Sequence, residues 1–124
     1  MRKPHPTLTP QELAIMKVVW RLGTSTVRDV HDTLRARRPI AYTTVLTMMR
    51  ILEAKGYVKK SKGERAHVYR PAKPRHQVVG GMVREFVNRV FDGAAEPLLL
   101  HLAKDARLTD EEREELLRII KESE

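Results

Sequence analysis

Three side chains, Thr43, Thr47 and Arg50, fall four and three residues apart in the stretch AYTTVLTMMRILEAKGYV. At roughly 100° per residue they share one face of a helix with Ala54. Val45, Met48, Met49 and Leu52 share the opposite face, and Leu46 flanks the polar one. The polar face offers hydroxyls and one long cation, with no Asp or Glu among them. That combination suits hydrogen bonding to an anionic polymer rather than the making and breaking of covalent bonds. The helix is expected to open near Tyr42 and to stop at Gly56, because glycine takes a positive φ without a Cβ clash. Taken alone, the segment reads equally as an ordinary amphipathic surface helix. Its neighbours decide between the two.

The other reactive residue types point away from catalysis. His5, His31, His67, His76 and His101 show no metal-ligand spacing, and neither H-E-x-x-H nor a glycine-rich phosphate loop occurs. They read as surface or internally satisfied imidazoles. His67 sits in a basic stretch, where it can touch phosphate or a base edge. Cysteine is absent, which removes disulfides, thiolate metal sites and a thiol nucleophile and fits a reducing compartment. The carboxylate pairs cluster near the C-terminus, where helix dipole and solubility account for them. No enzyme, cofactor or metal site is expected.

The chain of 124 residues suits one domain, or one small domain with an appendage. Its net charge of +8 is unevenly spread. Residues 1–75 carry 17 Lys and Arg against 5 Asp and Glu, whereas residues 76–124 carry 7 against 11. The basic front has the electrostatic footprint of a phosphate-backbone binder, and the acidic rear must do something else. No window approaches the ~18 consecutive apolar residues of a membrane span, and MRKPHPTLTP lacks the apolar run of a signal peptide. A cytoplasmic protein without membrane insertion is expected.

The flanking elements can position the threonine face. After a loose basic arm, Thr9 and Glu12 form a T-x-x-E capping box with Pro10 at the first helical position, and Leu8 and Leu13 can form the hydrophobic staple. Leu13, Met16, Val19 and Trp20 make the inner stripe of this helix. Ile15 widens the stripe and Val18 lies outside it, as in a helix covered on more than one side. Gly23 ends it. Thr26 and Asp29 cap a second helix that buries Val27, Val30 and Leu34, with Arg28, Arg35, Arg37 and Arg38 on or just beyond it. Pro39 separates it from the third. Tyr57–Ser61 and Ala66–Arg70 then read as a β-hairpin turning at Lys62-Gly63. Its cations are Lys59, Lys60, Lys62, Arg65 and Arg70, against Glu64 alone. Three helices followed by a basic hairpin make a winged helix-turn-helix. Its second helix would cross a DNA backbone and its third would enter the major groove.

Pro71 and Pro74 bracket a linker, and helical periodicity returns at about His76. Val79, Met82, Val83, Phe86, Val87, Val90 and Phe91 line one broad face up to Gly93, with Gly80-Gly81 expected to bend or delay the helix. A fifth helix spans about Glu96 to Lys104, and a sixth opens with a second T-x-x-E box at Thr109 to Glu112. The fold class is therefore mainly α with a small β-hairpin: a winged-helix domain over 1–73 and a three-helix dimerisation region over 74–124. The rear carries more apolar surface than three short helices can bury among themselves. Val79, Val83, Phe86, Val90, Leu98, Leu99, Leu102, Leu116, Ile119 and Ile120 are expected to pair with a second copy. A twofold dimer presents two recognition helices to a palindromic site. The alternative is a rear folded back on its own front as a monomer. For function, a non-specific architectural or RNA-associated basic protein shares the cationic front but needs neither the threonine face nor a dimer tail. A protein-docking module fits the cation density least well.

The order of motifs resembles a known family. A capped helix precedes T-V-R-D-V-H, a basic connection, A-Y-T-T-V with L-x-x-K-G, and a hairpin ending H-V-Y-R-P; the tail carries L-L-L-H-L-A and L-T-x-E-E. Over about residues 7–121 this is similar to the BlaI/MecI family of penicillinase and methicillin-resistance repressors. The resemblance implies a homodimeric repressor of β-lactam resistance or related genes. Its winged helices bind double-stranded DNA at a palindromic operator and its C-terminal helices pair. Thr43, Thr44 and Thr47 fall where the family's recognition helix meets DNA. Leu46 stands where resistance-linked relatives carry arginine, a guanine-reading residue, and suits a thymine methyl instead. Tyr42 is expected to join the threonines, with Arg28, Arg38, Arg50, Lys59, Lys60, Lys62 and Arg65 on the backbone and His67 beside them. In inducible members a membrane sensor-protease triggers cleavage of the fifth helix at an Asn-Phe bond. The matching pair here is His101-Leu102, of different residue types.

Overall fold

The computed structural model describes residues 8–105 and 107–122, so the expected basic arm ahead of Leu8 lies outside the described residues. The elements are α1 (Pro10–Leu22), α2 (Val27–Arg35), α3 (Tyr42–Ala54), β1 (Val58–Lys62), β2 (His67–Pro71), α4 (Arg75–Phe91), α5 (Ala95–Ala103) and α6 (Asp110–Glu122). The chain separates into two compact units that divide inside α4, between Val78 and Val79.

In the first unit both capping boxes form. The Thr9 N–H donates to Glu12 Oε1 at 2.8 Å and the Glu12 N–H to Thr9 Oγ1 at 3.2 Å. Thr26 and Asp29 repeat the exchange at 2.9 and 3.1 Å. Each box satisfies two amide donors that the helix itself leaves unpaired. Gly23, at φ 77°, ends α1 in a conformation that costs glycine little. Ile15, Met16 and Val19 of α1, Val30 of α2, and Val45, Met49 and Leu52 of α3 are almost fully buried, with Val58 of β1 beside them. Burying each such side chain contributes at most about 1.5–3 kcal/mol. Val18 is buried as well, so α1 is covered on more than one side.

The hairpin is antiparallel, running from Val58↔Pro71 to Lys62↔His67. Its strands lie one residue later than the alternation suggested, because the Tyr57 N–H is spent on the Leu52 carbonyl at 2.9 Å as the chain leaves α3. The turn also differs. Lys62 is the last residue of β1, and the loop is Gly63 to Ala66, closed by the Gly63 N–H donating to the Ala66 carbonyl at 3.0 Å. A Cβ on Gly63 would lie 2.5 Å from that oxygen, so close approach demands the glycine. Ser25 adds a neighbour on the other side of β2, through Ser25 N to Tyr69 O at 2.9 Å and Tyr69 N to Ser25 O at 2.7 Å.

The stretch between Pro71 and Arg75 is tied down rather than a free linker. The Ala72 N–H donates to the Tyr57 carbonyl at 2.8 Å, and the Trp20 indole N–H donates to the Lys73 carbonyl at 3.0 Å. The Lys73 ammonium sits 4.7 Å above the Tyr57 ring. Helix α4 then runs unbroken through Gly80-Gly81, so the glycine pair does not delay it. Nothing lies within 4 Å of a Cβ built on either glycine, and nothing in the structure requires glycine there.

In the second unit α4 ends at two left-handed residues, Asp92 (φ 53°) and Gly93 (φ 86°). The Phe91 ring meets Phe86 at 5.9 Å and His101 at 6.4 Å. Arg113 fixes the α5–α6 corner, with Nε donating to the Ala103 carbonyl at 2.6 Å and Nη2 to the Asp105 carbonyl at 3.0 Å. The Thr109–Glu112 capping box closes at 3.0 and 3.1 Å. Val79, Val83, Phe86, Val90, Leu100, Leu102 and Leu117 are exposed, while Leu98 and Leu99 are half-buried. The side chains of Leu116, Ile119 and Ile120 lie outside the described residues. No helix among the described residues is long and apolar enough to cross a membrane.

Candidate nucleic-acid interface

Helix α3 is mounted by one face and open on the other. Val45, Met49 and Leu52 anchor it in the core, and Thr44, Leu46 and Met48 are half-buried at the margins. Thr43, Thr47, Arg50 and Ala54 are exposed at spacings of four, three and four, which makes one continuous face. Tyr42 is 45% exposed at the head of the helix. Ile51 is also exposed and joins this face as an apolar member. The one acidic residue of α3, Glu53, is half-buried and turned toward Lys60, 3.9 Å away. The open face is therefore free of carboxylates.

Two contacts fix this helix at its ends. At the start, His31 of α2 donates from Nε2 to the Ile40 carbonyl at 2.8 Å and meets the Tyr42 ring edge-on at 5.7 Å. Arg28, His31, Asp32, Arg35 and Tyr42 line one shallow cleft, in which Arg35 pairs with Asp32 at 3.4 Å. Arg28 and Tyr42 belong to the interface expected from the sequence; His31 does not, since neither its spacing nor its surroundings in the sequence connect it to Tyr42. At the other end, Lys55 Nζ lies 2.9 Å from Glu12 Oε1, with side chains only 9% and 3% exposed. Burial pushes the Glu12 carboxyl up, but the Thr9 N–H and the Lys55 ammonium outweigh it and hold the group below its ordinary value. This pair joins the head of α1 to the tail of α3 and was invisible in the sequence, its partners being 43 residues apart.

The wing concentrates like charge. Lys59 stands directly opposite Arg70 across the hairpin. Like charges in facing positions destabilise a hairpin. An arrangement that costs the isolated protein stability is what an anionic partner would relieve. Lys59, Lys60, Lys62, Arg65, His67 and Arg70 are all exposed, as are Arg28 and Arg38. Among the described residues no three His, Cys, Asp or Glu side chains gather closely enough to hold a metal ion.

Comparison with known proteins agrees with this architecture. The family model described as penicillinase repressor matches residues 8–122. The transcriptional regulator BlaI of Mycobacterium tuberculosis is 36% identical over 115 residues, which cover 91% of this chain and 82% of the relative. The penicillinase repressor of Bacillus licheniformis is 28% identical over 120 residues, 97% of this chain and 94% of that one. Among solved structures, monomeric B. licheniformis BlaI in complex with the blaP half-operator superposes with a TM-score of 0.50 at 28% identity, covering 61% of this chain and 92% of that one. Winged-helix elements, an anion-free helix face and a family match along nearly the whole chain converge, and the protein belongs to the penicillinase repressor family.

Proposed function

We propose that this chain is a DNA-binding transcriptional repressor that acts as a homodimer on a palindromic operator. The observation that carries the reading is the α3 face of Thr43, Thr47 and Arg50, exposed, rigidly backed and without a carboxylate. A related chain in complex with a half-operator supports it. Residues 1–73 hold the DNA and residues 74–124 pair the subunits. Thr43, Thr44, Thr47 and Tyr42 read base edges or adjacent phosphates, and Leu46 meets an apolar base edge. Arg28, Arg38, Arg50, Lys59, Lys60, Lys62, Arg65 and His67 hold the backbone. Repression follows from occlusion of the promoter, without enzymatic chemistry.

The dimer reading rests on the exposed apolar row Val79, Val83, Phe86 and Val90 of α4, spaced four, three and four. That row repeats like one side of a helix–helix seam. Leu98, Leu99, Leu102, Leu116, Ile119 and Ile120 extend the pairing surface. Release from DNA by a membrane sensor-protease pathway would cut at His101-Leu102, whose side chains are exposed near the end of α5.

A competition gel shift tests the function. A complex with duplex selected for binding from a random pool should survive a large excess of unselected random duplex. About eight phosphate contacts per dimer should give a slope near −7 in log K against log salt. Equal competition by random DNA would sink the operator reading and leave a non-specific basic protein. Sedimentation at micromolar concentration should find a dimer, and a monomer there would overturn the pairing.

A further inference from the structure

A groove runs between α1 and the C-terminal end of α2. It encloses about 490 Å³, within the range of small-molecule sites. Its floor is apolar: Leu13, Ala14 and Val18 from α1 and Leu34 from α2. Its rim carries four cations, Lys17 and Arg21 from α1 and Arg37 and Arg38 from beyond the end of α2. No carboxylate lines it, and none of the four cations is ion-paired among the described residues. Phosphate backbone alone would need the cations but would gain nothing from the floor. A neutral apolar molecule would leave the cations without a counter-charge. The chemistry that satisfies both is one anionic head on a compact apolar body.

We propose that this groove binds an amphipathic organic anion, a carboxylate carried on an aryl or short alkyl body. The body covers Leu13, Ala14, Val18 and Leu34 while the head accepts hydrogen bonds from the rim, arginine being suited to carboxylate geometry. Thr33 belongs to the lining, but its hydroxyl is committed to the Asp29 carbonyl at 2.9 Å. The site also carries a means of control. Arg37 and Arg38 begin the connection that leads into α3, and each donates its backbone N–H to the Leu34 carbonyl, at 3.0 and 3.2 Å. Arg38 belongs to the proposed DNA-contacting set, so an anion that claims it competes with phosphate for the same guanidinium. This second step rests on the DNA-binding reading above. The binding step does not.

The probe is 2-naphthoate, with 2-naphthalenemethanol as its uncharged counterpart, titrated into the full-length protein and followed by amide and methyl NMR. A ligand of this size should bind with a dissociation constant on the order of 1 mM. Shifts should centre on Leu13, Val18 and Leu34, and the alcohol should bind about tenfold more weakly. Arg21→Gln removes a rim cation outside the DNA set and should weaken naphthoate about tenfold while leaving the alcohol unchanged. Ala14→Trp fills the floor and should abolish binding of both. Because no DNA is present, failure of the operator reading leaves this test intact. Equal affinity for acid and alcohol would overturn the proposal, and so would shifts centred on Val79–Val90 or unchanged binding in Ala14→Trp. With DNA added, naphthoate should weaken the complex of the wild type and not that of Ala14→Trp; equal weakening of both would overturn the control step.

Discussion

The two units treat their apolar residues in opposite ways. In the first, Ile15, Met16, Val19, Val30, Val45, Met49 and Leu52 are sealed inside, and hydroxyls and cations reach solvent. In the second, Val79, Val83, Phe86 and Val90 lie open along one helix, with Leu100, Leu102 and Leu117 exposed as well. Charge divides similarly, with a front rich in Lys and Arg and a rear in which Asp and Glu predominate. An unburied apolar row is the mark of a protein-contact surface, and the acidic balance around it disfavours nucleic acid. One chain completes the front. The rear leaves an apolar row open, and that difference separates the proposed DNA surface from the proposed pairing surface.

Substitutions can break this division one side at a time. The deepest should be Lys55→Met, which strands the Glu12 carboxylate inside the first unit. Loss of one partner of a buried pair costs about 3–5 kcal/mol, so melting of the first unit should fall well below the wild type while the proposed pairing through the second unit should persist. Acid should act on the same contact. The Glu12 carboxyl is held below its ordinary 4.5 in the folded protein. Its contribution is therefore complete above that pH and is lost as pH falls through the lowered value. Glu12→Gln should flatten the acid limb of stability against pH, and an unchanged limb would place acid sensitivity elsewhere.

The next effect belongs to the rear. Phe86→Asp puts a charge in the exposed row and should cost about 2 kcal/mol or more of pairing. Sedimentation should then show monomer, with the circular dichroism of the front retained. A variant that stays dimeric removes α4 from the pairing surface. Smaller effects distinguish reading from holding within the front. Thr47→Ala should reduce the preference for operator over random DNA by about 1–3 kcal/mol and leave random binding nearly intact. Lys59→Ala should weaken both and lower the salt slope by about 1 per chain. Ser25→Ala should change least. Its hydroxyl is buried without a partner among the described residues, so stability should stay within about 1 kcal/mol of the wild type or rise.

Local chemistry in the sequence located most elements and much of the face. Each of the three T-x-x-[ED] boxes marks a helix start because its two hydrogen bonds span only three residues. The α3 face was legible because a surface-mounted helix must alternate at its own period. What stayed hidden is long-range or only one residue wide. The Ser25–Tyr69 bridge pairs single residues and leaves no alternation to detect. The Glu12–Lys55 pair was masked because Glu12 already had a local explanation as a capping residue. The hairpin turn was misplaced because Lys62-Gly63 looks like a two-residue turn, whereas the strand register makes Lys62 a strand residue and requires a four-residue loop. Gly80-Gly81 misled in the other direction. A propensity of about 1 kcal/mol per glycine did not break α4.

The Trp20 contact gives the protein an internal optical reporter. Trp20 is the sole tryptophan of the chain, and its indole N–H is held by the carbonyl of Lys73, two residues before α4 begins. Loss of that bond changes the polarity around the indole, so its emission wavelength reports whether the 71–75 segment is seated on the winged unit. The second unit contains no tryptophan, so an unlabelled sample reports the melting of the first unit by fluorescence, while total helix content reports both.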